Sequence, residues 1–157
     1  MTTKFSVRLF LLSATLLAAA AVQAHHSFSE FDRNVQRVVK GEVTRWVFNN
    51  PHVWLELDST DASGETTHWA FEGGGVVHMI RTGVNGSTFK AGDQVTVMYC
   101  PLRDGRQGGA LGWVKVGDGP MINPNDGGCR ANAEINKQWE EWLEKGYTSN
   151  LEAQAAL

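Results

Sequence analysis

Apolar and polar residues alternate with a period of two in the middle of the chain. In residues 52–58 the apolar positions are Val53, Leu55 and Leu57. In residues 67–72 they are Trp69 and Phe71. Alternation of this kind is typical of a β-strand with one buried face. The connector between the two stretches contains Gly64, which suits a hairpin turn that needs a positive φ.

Pairing these two strands as a hairpin predicts a polar face. When the apolar faces of the two strands lie on the same side of the hairpin, the two residue numbers in each cross-strand pair add to an even value. Every register of this kind places the same polar side chains together. A slip of one residue in a single strand would turn its whole pattern over. The polar face then consists of His52, Trp54, Glu56, His68 and Glu72.

The remaining pattern predicts three more strands and one short helix. Residues 36–48 form the first strand, with Trp46 on the same side as the polar face. Apolar residues after the glycine triplet 73–75 fit a helix that ends at Gly83. The fourth and fifth strands cover residues 94–99 and 110–116.

Five strands with one short helix between the third and fourth is the element order of an OB-fold barrel. An SH3-like barrel or a small sandwich has a similar strand count, but the helix position favours the OB arrangement. The sequence therefore predicts a mainly β protein, a five-stranded OB-like barrel over residues 36–116.

The last forty residues form a loop and a helix in this interpretation. Residues 117–132 are rich in glycine, proline and asparagine, and Asn132 suits a helix N-cap. The following segment has apolar residues at helical spacing: Ile135, Trp139, Trp142 and Leu143. This C-terminal amphipathic helix either packs on the barrel or binds a partner. It could also cover Trp46 and Trp54, which would otherwise be available to stack on a flat ligand.

The N-terminus has the features of a secretory signal peptide. An uncharged apolar run over residues 9–22 follows Lys4 and Arg8, and a small-x-small pattern ends at Ala24. The run is short for a membrane span. We predict cleavage after Ala24, a periplasmic chain without a membrane segment, and an N-terminal arm over residues 25–35.

Charge argues against nucleic acid as a partner. The formal net charge is −3, and loss of Lys4 and Arg8 with the signal peptide would make it −5. Nucleic-acid binding depends on neutralising phosphates with basic residues. A small molecule or an exported partner protein is the expected ligand.

The two cysteines, Cys100 and Cys129, are predicted to form a disulfide. Disulfides persist in exported proteins, and this one would close a loop of about thirty residues. The alternative, a metal site using both thiolates, lacks a C-x-x-C spacing.

A histidine pair at the predicted mature N-terminus indicates metal binding. His25 would offer its α-amine and ring nitrogen as a chelating pair, and His26 a second imidazole, which suits copper before zinc. A further donor would come from His52 or His68. Those two lie about 10–14 Å apart at about 3.4 Å per residue, too far to bind one ion together.

Two other functions are open at this point. The polar face could bind a small organic ligand or a partner protein without metal. An enzyme on an exported substrate ranks third, because histidines and carboxylates could act as acid and base but no nucleophile motif is present.

Several short motifs resemble a known family. They are Ala24-His25-His26-Ser27-Phe28, Gly41-Glu42-Val43-Thr44, Asn50-Pro51-His52-Val53-Trp54, Trp69-Ala70-Phe71-Glu72-Gly73-Gly74 and the segment 91–97. In this order they resemble a family of small exported proteobacterial proteins classed as a domain of unknown function. The resemblance spans residues 25–116. It implies a secreted β-barrel and supplies no catalytic residue.

Overall fold

The computed structural model describes residues 28–125 and 127–157. In that part of the chain the strands are β1 (Arg37–Val47), β2 (Trp54–Thr60), β3 (Thr66–Glu72), β4 (Gln94–Pro101), β5 (Gly108–Val116) and β6 (Met121–Ile122). The helices are α1 (Val76–Arg81), α2 (Ala133–Glu144) and α3 (Asn150–Ala155), and a 3₁₀ turn covers Phe28–Glu30.

Five of the strands close into a barrel. Neighbouring strands pair in the order β3-β2-β1-β4-β5, and β3 then pairs in parallel with β5 to complete the ring. At this seam Gly108 has φ +148°, and a Cβ there would lie 2.1 Å from the carbonyl oxygen of Ala70. Only glycine allows the two backbones to approach so closely. The predicted OB-like barrel with a helix between β3 and β4 is confirmed, as is the C-terminal helix.

The β2–β3 hairpin has the even register that the alternation predicts. Trp54 pairs with Glu72 and Leu57 with Trp69. The turn is fixed by Asp61, whose Oδ1 accepts hydrogen bonds from the backbone N–H groups of Ser63 and Glu65 at 2.8 and 3.0 Å. Gly64 follows with φ +88°. The turn therefore holds the polar face in register.

The barrel interior is closed at one end by α1. Leu55, Leu57 and Phe71 are fully buried inside the barrel. At the α1 end, Met79 packs with Val53 and Val84. The helix begins after Gly75 and is followed by Gly83, as predicted.

A second core lies outside the barrel, under α2. Trp139 and Trp142 of α2 pack with Trp113 of β5, and all three are buried. Asn132 caps the helix by accepting the N–H of Ile135 at 2.9 Å. The prediction that this helix packs on the barrel is confirmed. It packs on β4 and β5, so the alternative in which it covers Trp46 and Trp54 was wrong.

The predicted disulfide is present in this second core. Cys100 of β4 is bonded to Cys129, with the sulfur atoms 2.04 Å apart. The bond ties the irregular segment after β6 to the barrel wall. The prediction of a Cys100–Cys129 disulfide is confirmed.

A bulge in β1 reverses one prediction. The pairing with β2 shifts between Val43 and Arg45, so Trp46 lies opposite Leu55 and faces the interior. Its ring packs edge-on against Phe89 at 5.0 Å. Trp46 was therefore wrongly placed on the polar face. Arg45 lies opposite Glu56 instead.

Other differences are local. β6 and α3 lie in the predicted tail of loop and helix, and the sequence pattern indicated neither. β2 begins at Trp54, so His52 lies in the loop that follows the cis Asn50–Pro51 bond. The predicted cleavage site, His25 and His26 fall outside the described residues. Within the described ranges, no helix is long and apolar enough to cross a membrane.

Candidate functional site

The polar face holds a histidine–carboxylate pair at its α1 end. Nδ1 of His52 contacts a carboxylate oxygen of Glu72. The His52 side chain is 24% exposed and that of Glu72 only 13%. The β2–β3 pairing places Trp54 directly opposite Glu72. Hairpin register and the loop after Pro51 thus bring an imidazole, a carboxylate and an indole to one place.

A separate histidine cluster lies at the turn end of the face. Nδ1 of His68 lies 2.7 Å from Oδ1 of Asp58, its direct cross-strand neighbour. Its Nε2 lies 3.8 Å from Glu56, whose nearer partner is Arg45, with Nε donating at 3.0 Å. This hydrogen bond raises the pKa of Arg45. These ion pairs are exposed to solvent, so they contribute little to the stability of the fold.

The two histidines therefore serve separate ends of the face. His52 pairs with Glu72 and His68 with Asp58, and Glu72 and His68 are four residues apart along β3. His52 contacts Glu72, and Glu56 lies near His68 at the longer distance of 3.8 Å, so the predicted face does bring these side chains together. Nowhere in residues 28–125 and 127–157 do three His, Cys, Asp or Glu side chains group closely enough to hold a metal.

A cavity of about 160 Å³ opens beside Trp54 and Glu72. Its walls come from three parts of the chain: β2 and β3, the turn before β1, and the loop between β4 and β5. The lining residues include Glu30, Phe31, Trp54, Ala70, Glu72 and Arg106. Trp54 is 38% exposed, so its indole is available to a ligand.

Backbone contacts hold the arm and the β4–β5 loop together over this cavity. Phe31 and Leu102 form an isolated β-bridge. The N–H of Arg103 donates to the carbonyl oxygen of Glu30 at 2.8 Å. The 3₁₀ turn that follows the predicted mature N-terminus is thus fixed at the edge of the polar face.

Sequence patterns did not indicate the contributions of Glu30, Phe31, Arg106 and Gln107 to this cavity. The arm has no periodicity, and the stretch 105–109 has only the composition of a loop. Both come to the cavity through barrel closure and the bridge to Leu102, which depend on contacts distant in sequence. The signal that was available is Phe31, one of three apolar residues in the arm together with Phe28 and Val35.

This arrangement is suited to binding. One ring nitrogen of a metal-binding histidine commonly interacts with a carboxylate, which orients the ring. Glu72 is placed to do this for His52. Both cysteines of the chain are in the disulfide, so neither is a nucleophile.

Comparison with known proteins identifies a family for this chain but no characterised relative. No curated protein and no solved structure matches the chain. Residues 13–111 match a protein family described as a family of unknown function, DUF6152. This range covers more than half of the chain and includes the His-His, Asn-Pro-His-Val-Trp and Glu-Gly-Gly motifs. The chain belongs to the DUF6152 family of unknown function.

Proposed function

We propose that this protein is a periplasmic binding protein and that it binds a transition metal, copper(II) first, at the α1 end of the polar face. His25 supplies its α-amine and ring nitrogen, His26 adds an imidazole, and His52 completes the site. Glu72 orients His52. Zinc is the second metal of choice, since imidazole ligands suit both.

The position of the 3₁₀ turn carries this proposal. Glu30 lines the same cavity as Trp54 and Glu72, and the turn begins at Phe28. His25 precedes Phe28 by three positions, and an extended chain spans roughly 3.3–3.6 Å per residue, or about 10 Å here. A mature chain starting at His25 would therefore reach about 10 Å beyond Phe28, on the side of the barrel where Glu30 and Glu72 line one cavity. His68, at the turn end of the face, is the more distant donor.

Binding of this kind needs a defined N-terminus. The α-amine and the imidazoles must be in their neutral forms to act as ligands. Protons compete for these nitrogens, so copper affinity should fall as the pH is lowered. An added residue before His25 would turn its amine into an amide and remove the chelating pair. The effect of the added residue distinguishes the site from histidines that bind copper loosely at a surface, because copper binding by any histidine weakens as the pH falls.

The test is a copper(II) titration of protein processed to His25, followed by electron paramagnetic resonance. A version with one glycine before His25 serves as the matched comparison. We expect tight binding with nitrogen hyperfine structure that is lost in the extended version. His52→Ala should weaken binding at least tenfold, whereas His68→Ala should not. Weak binding that is equal in the processed and extended proteins would refute the metal site.

A metal-free function is favoured by one specific observation, the exposed indole of Trp54 beside the 160 Å³ cavity. Tryptophan that is one-third exposed at a concave site is suited to stacking on a small organic ligand or on a residue of a partner protein. In this case binding would be unaffected by glycine before His25 and lost in Trp54→Ala. Screening small molecules against the processed protein and Trp54→Ala measures this directly.

A further inference from the structure

A second and larger cavity lies at the end of the barrel opposite α1. Its volume is about 260 Å³. The wall includes the first residue of β1, the middle of β3, the end of β4 and the β4–β5 loop. The mouth of a β-barrel is a preferred place for small-molecule sites. The volume is just below the range of roughly 300–1,000 Å³ that suits drug-sized ligands, so this cavity fits a smaller molecule.

Aromatic rings form one side of this cavity. Trp69 and Tyr99 both line it, with their ring centroids 5.6 Å apart in an edge-to-face arrangement. Trp69 also stacks on Phe71 of the barrel core, which fixes its orientation. Its indole nitrogen Nε1 is buried and has no hydrogen-bond partner. Unpartnered buried donors are rare and ask for an explanation, such as an unseen ligand or water.

Arginine dominates the charge of the same cavity. Arg37, Arg103 and Arg106 line it, against a single carboxylate, Asp32. This is a local positive site on a chain with formal net charge −3. Guanidinium groups bind carboxylates through paired, charge-assisted hydrogen bonds.

Two of these arginines are held in place by their own contacts. Nε of Arg103 donates to the carbonyl oxygen of Ser29 at 3.1 Å, and its guanidinium lies 3.6 Å from Asp32. Nε of Arg106 donates to Asp104 at 2.7 Å. These contacts position the guanidinium groups before a ligand arrives.

Arg37 is different. It lies directly across from Tyr99 in the β1–β4 pairing. Among the residues that the structure describes, no carboxylate lies within 4 Å of its guanidinium. Burial raises the pKa of Tyr99, so the phenol stays protonated at neutral pH and its hydroxyl can donate a hydrogen bond.

We propose that this cavity binds a small aromatic carboxylate, with the ring against Trp69 and Tyr99 and the carboxylate at Arg37. The site goes beyond the metal function proposed above and lies next to the cavity beside Trp54, with which it shares Leu102, Arg106 and Gln107. An inorganic anion such as phosphate would meet the guanidinium groups but leave the aromatic side uncovered. An uncharged aromatic molecule would leave the guanidinium of Arg37 without a direct ion pair, since Glu152 acts on it only at a longer distance. Both halves of the cavity together select the aromatic carboxylate.

The test uses the full processed protein with a chelator, so that copper binding plays no part. Benzoate is the probe, benzamide its uncharged analogue, and phosphate the inorganic anion. Calorimetry should show saturable benzoate binding that is at least tenfold tighter than binding of benzamide or phosphate. The indole N–H resonance of Trp69 should shift with benzoate in nuclear magnetic resonance spectra.

Two variants and one control localise the binding. Arg37→Gln should weaken benzoate binding at least tenfold. Lys40→Gln, which removes an exposed cation from the same strand, should leave it within twofold. If Arg37→Gln fails to fold by circular dichroism, Arg106→Gln in the exposed loop takes its place, with an expected loss of at least threefold.

Four results would overturn the proposal. They are no saturable benzoate binding up to millimolar concentration, equal affinity for benzamide or phosphate, an unshifted Trp69 resonance, and equal losses in the lysine and arginine variants. None of them bears on copper binding at His25. Loss of copper binding with benzoate binding intact would likewise refute only the metal site.

Discussion

The outer side of β4 and β5 and the outer side of β2 and β3 both carry tryptophan, but α2 covers only the first. Trp113 and Trp139 pack together there and are fully buried. On the second side, Trp54 is 38% exposed and lies among titratable side chains. The first surface is apolar and closed by a helix and a disulfide. The second is polar and stays open to a ligand.

This difference follows from the neighbours of each tryptophan. Met98, Cys100 and Ala110 surround the first group, so covering it removes apolar area from water and stabilises the fold. Around Trp54 lie His52, Glu72 and the β4–β5 loop, whose polar atoms would have to be paired if a helix covered them. The composition of each surface thus decides whether it serves stability or binding.

The largest expected effect is on the closed surface. Trp139→Ala removes a fully buried ring and also the hydrogen bond from its Nε1 to Gln36, 2.8 Å long. The loss of this buried apolar ring, together with the cavity that it leaves, should lower the free energy of unfolding by about 3–5 kcal/mol. Urea unfolding followed by circular dichroism measures it. A loss below about 1 kcal/mol would show that α2 contributes little to the fold.

Removing the disulfide should lower the free energy of unfolding by slightly less than Trp139→Ala does. The bond joins cysteines 29 positions apart, and the loop-entropy model assigns such a loop about 3–4 kcal/mol. Cys100→Ala with Cys129→Ala should lower the free energy of unfolding by this amount in urea. Copper and benzoate binding should persist while the protein is folded. If either binding is lost in a folded double variant, the closed surface is not independent of the two sites.

Trp54→Ala should separate stability from binding. Because the indole is partly exposed and its cross-strand contacts are worth roughly 0.2–1 kcal/mol, the free energy of unfolding should change by about 1 kcal/mol or less. A ligand bound in the adjacent cavity should be lost. Urea unfolding and ligand titration on the same sample provide both values. A loss as large as that of Trp139→Ala would mean that this surface is structural too.

Glu72→Gln tests the orientation of His52 within the open surface. The amide keeps the size of the side chain but removes its charge, so copper affinity should fall by about 10–100-fold, the usual cost of losing such an outer partner. Copper titration gives the affinity, and Glu56→Gln at the other end of the face is the control. If Glu72→Gln and Glu56→Gln lower copper affinity equally, the cause would be the lost negative charge and not the orientation of His52 by Glu72.

The smallest effect concerns the turn that sets the register of the open surface. The hydroxyl of Ser63, and then the backbone N–H groups of Glu65 and Ser63, hold the pKa of Asp61 below its ordinary value of 3.8. A lowered pKa means that the carboxylate stabilises the fold above 3.8 and loses this effect as the pH falls through the folded-state pKa. Asp61→Ala should therefore be less stable than wild type at neutral pH, with the difference shrinking below 3.8 in urea unfolding. A pH-independent difference would contradict this reason.

Sequence patterns predicted the elements that depend on local periodicity. Val53, Leu55, Leu57 and Phe71 are all buried, as alternation requires. Trp46 was misplaced because a bulge is an interruption of alternation that the residue types do not reveal. β6 was missed because a strand of two residues has no period. The residues around Trp54 were predicted only in part, because the arm and the β4–β5 loop reach the cavity there through bridges between distant segments.

Spacing along the chain predicts the positions of the five barrel strands, the hairpin register, and helices α1 and α2. The Cys100–Cys129 bond follows from the presence of two cysteines in a chain predicted to be exported. The tertiary structure was needed to show that α2 covers β4 and β5 and leaves Trp54 open. It also decided that the 3₁₀ turn lies beside Glu72 and that Arg37 meets Trp69 and Tyr99 at the barrel mouth. These juxtapositions arise from closure of the ring between β3 and β5. Closure joins residues far apart in sequence, and no local pattern contains that information.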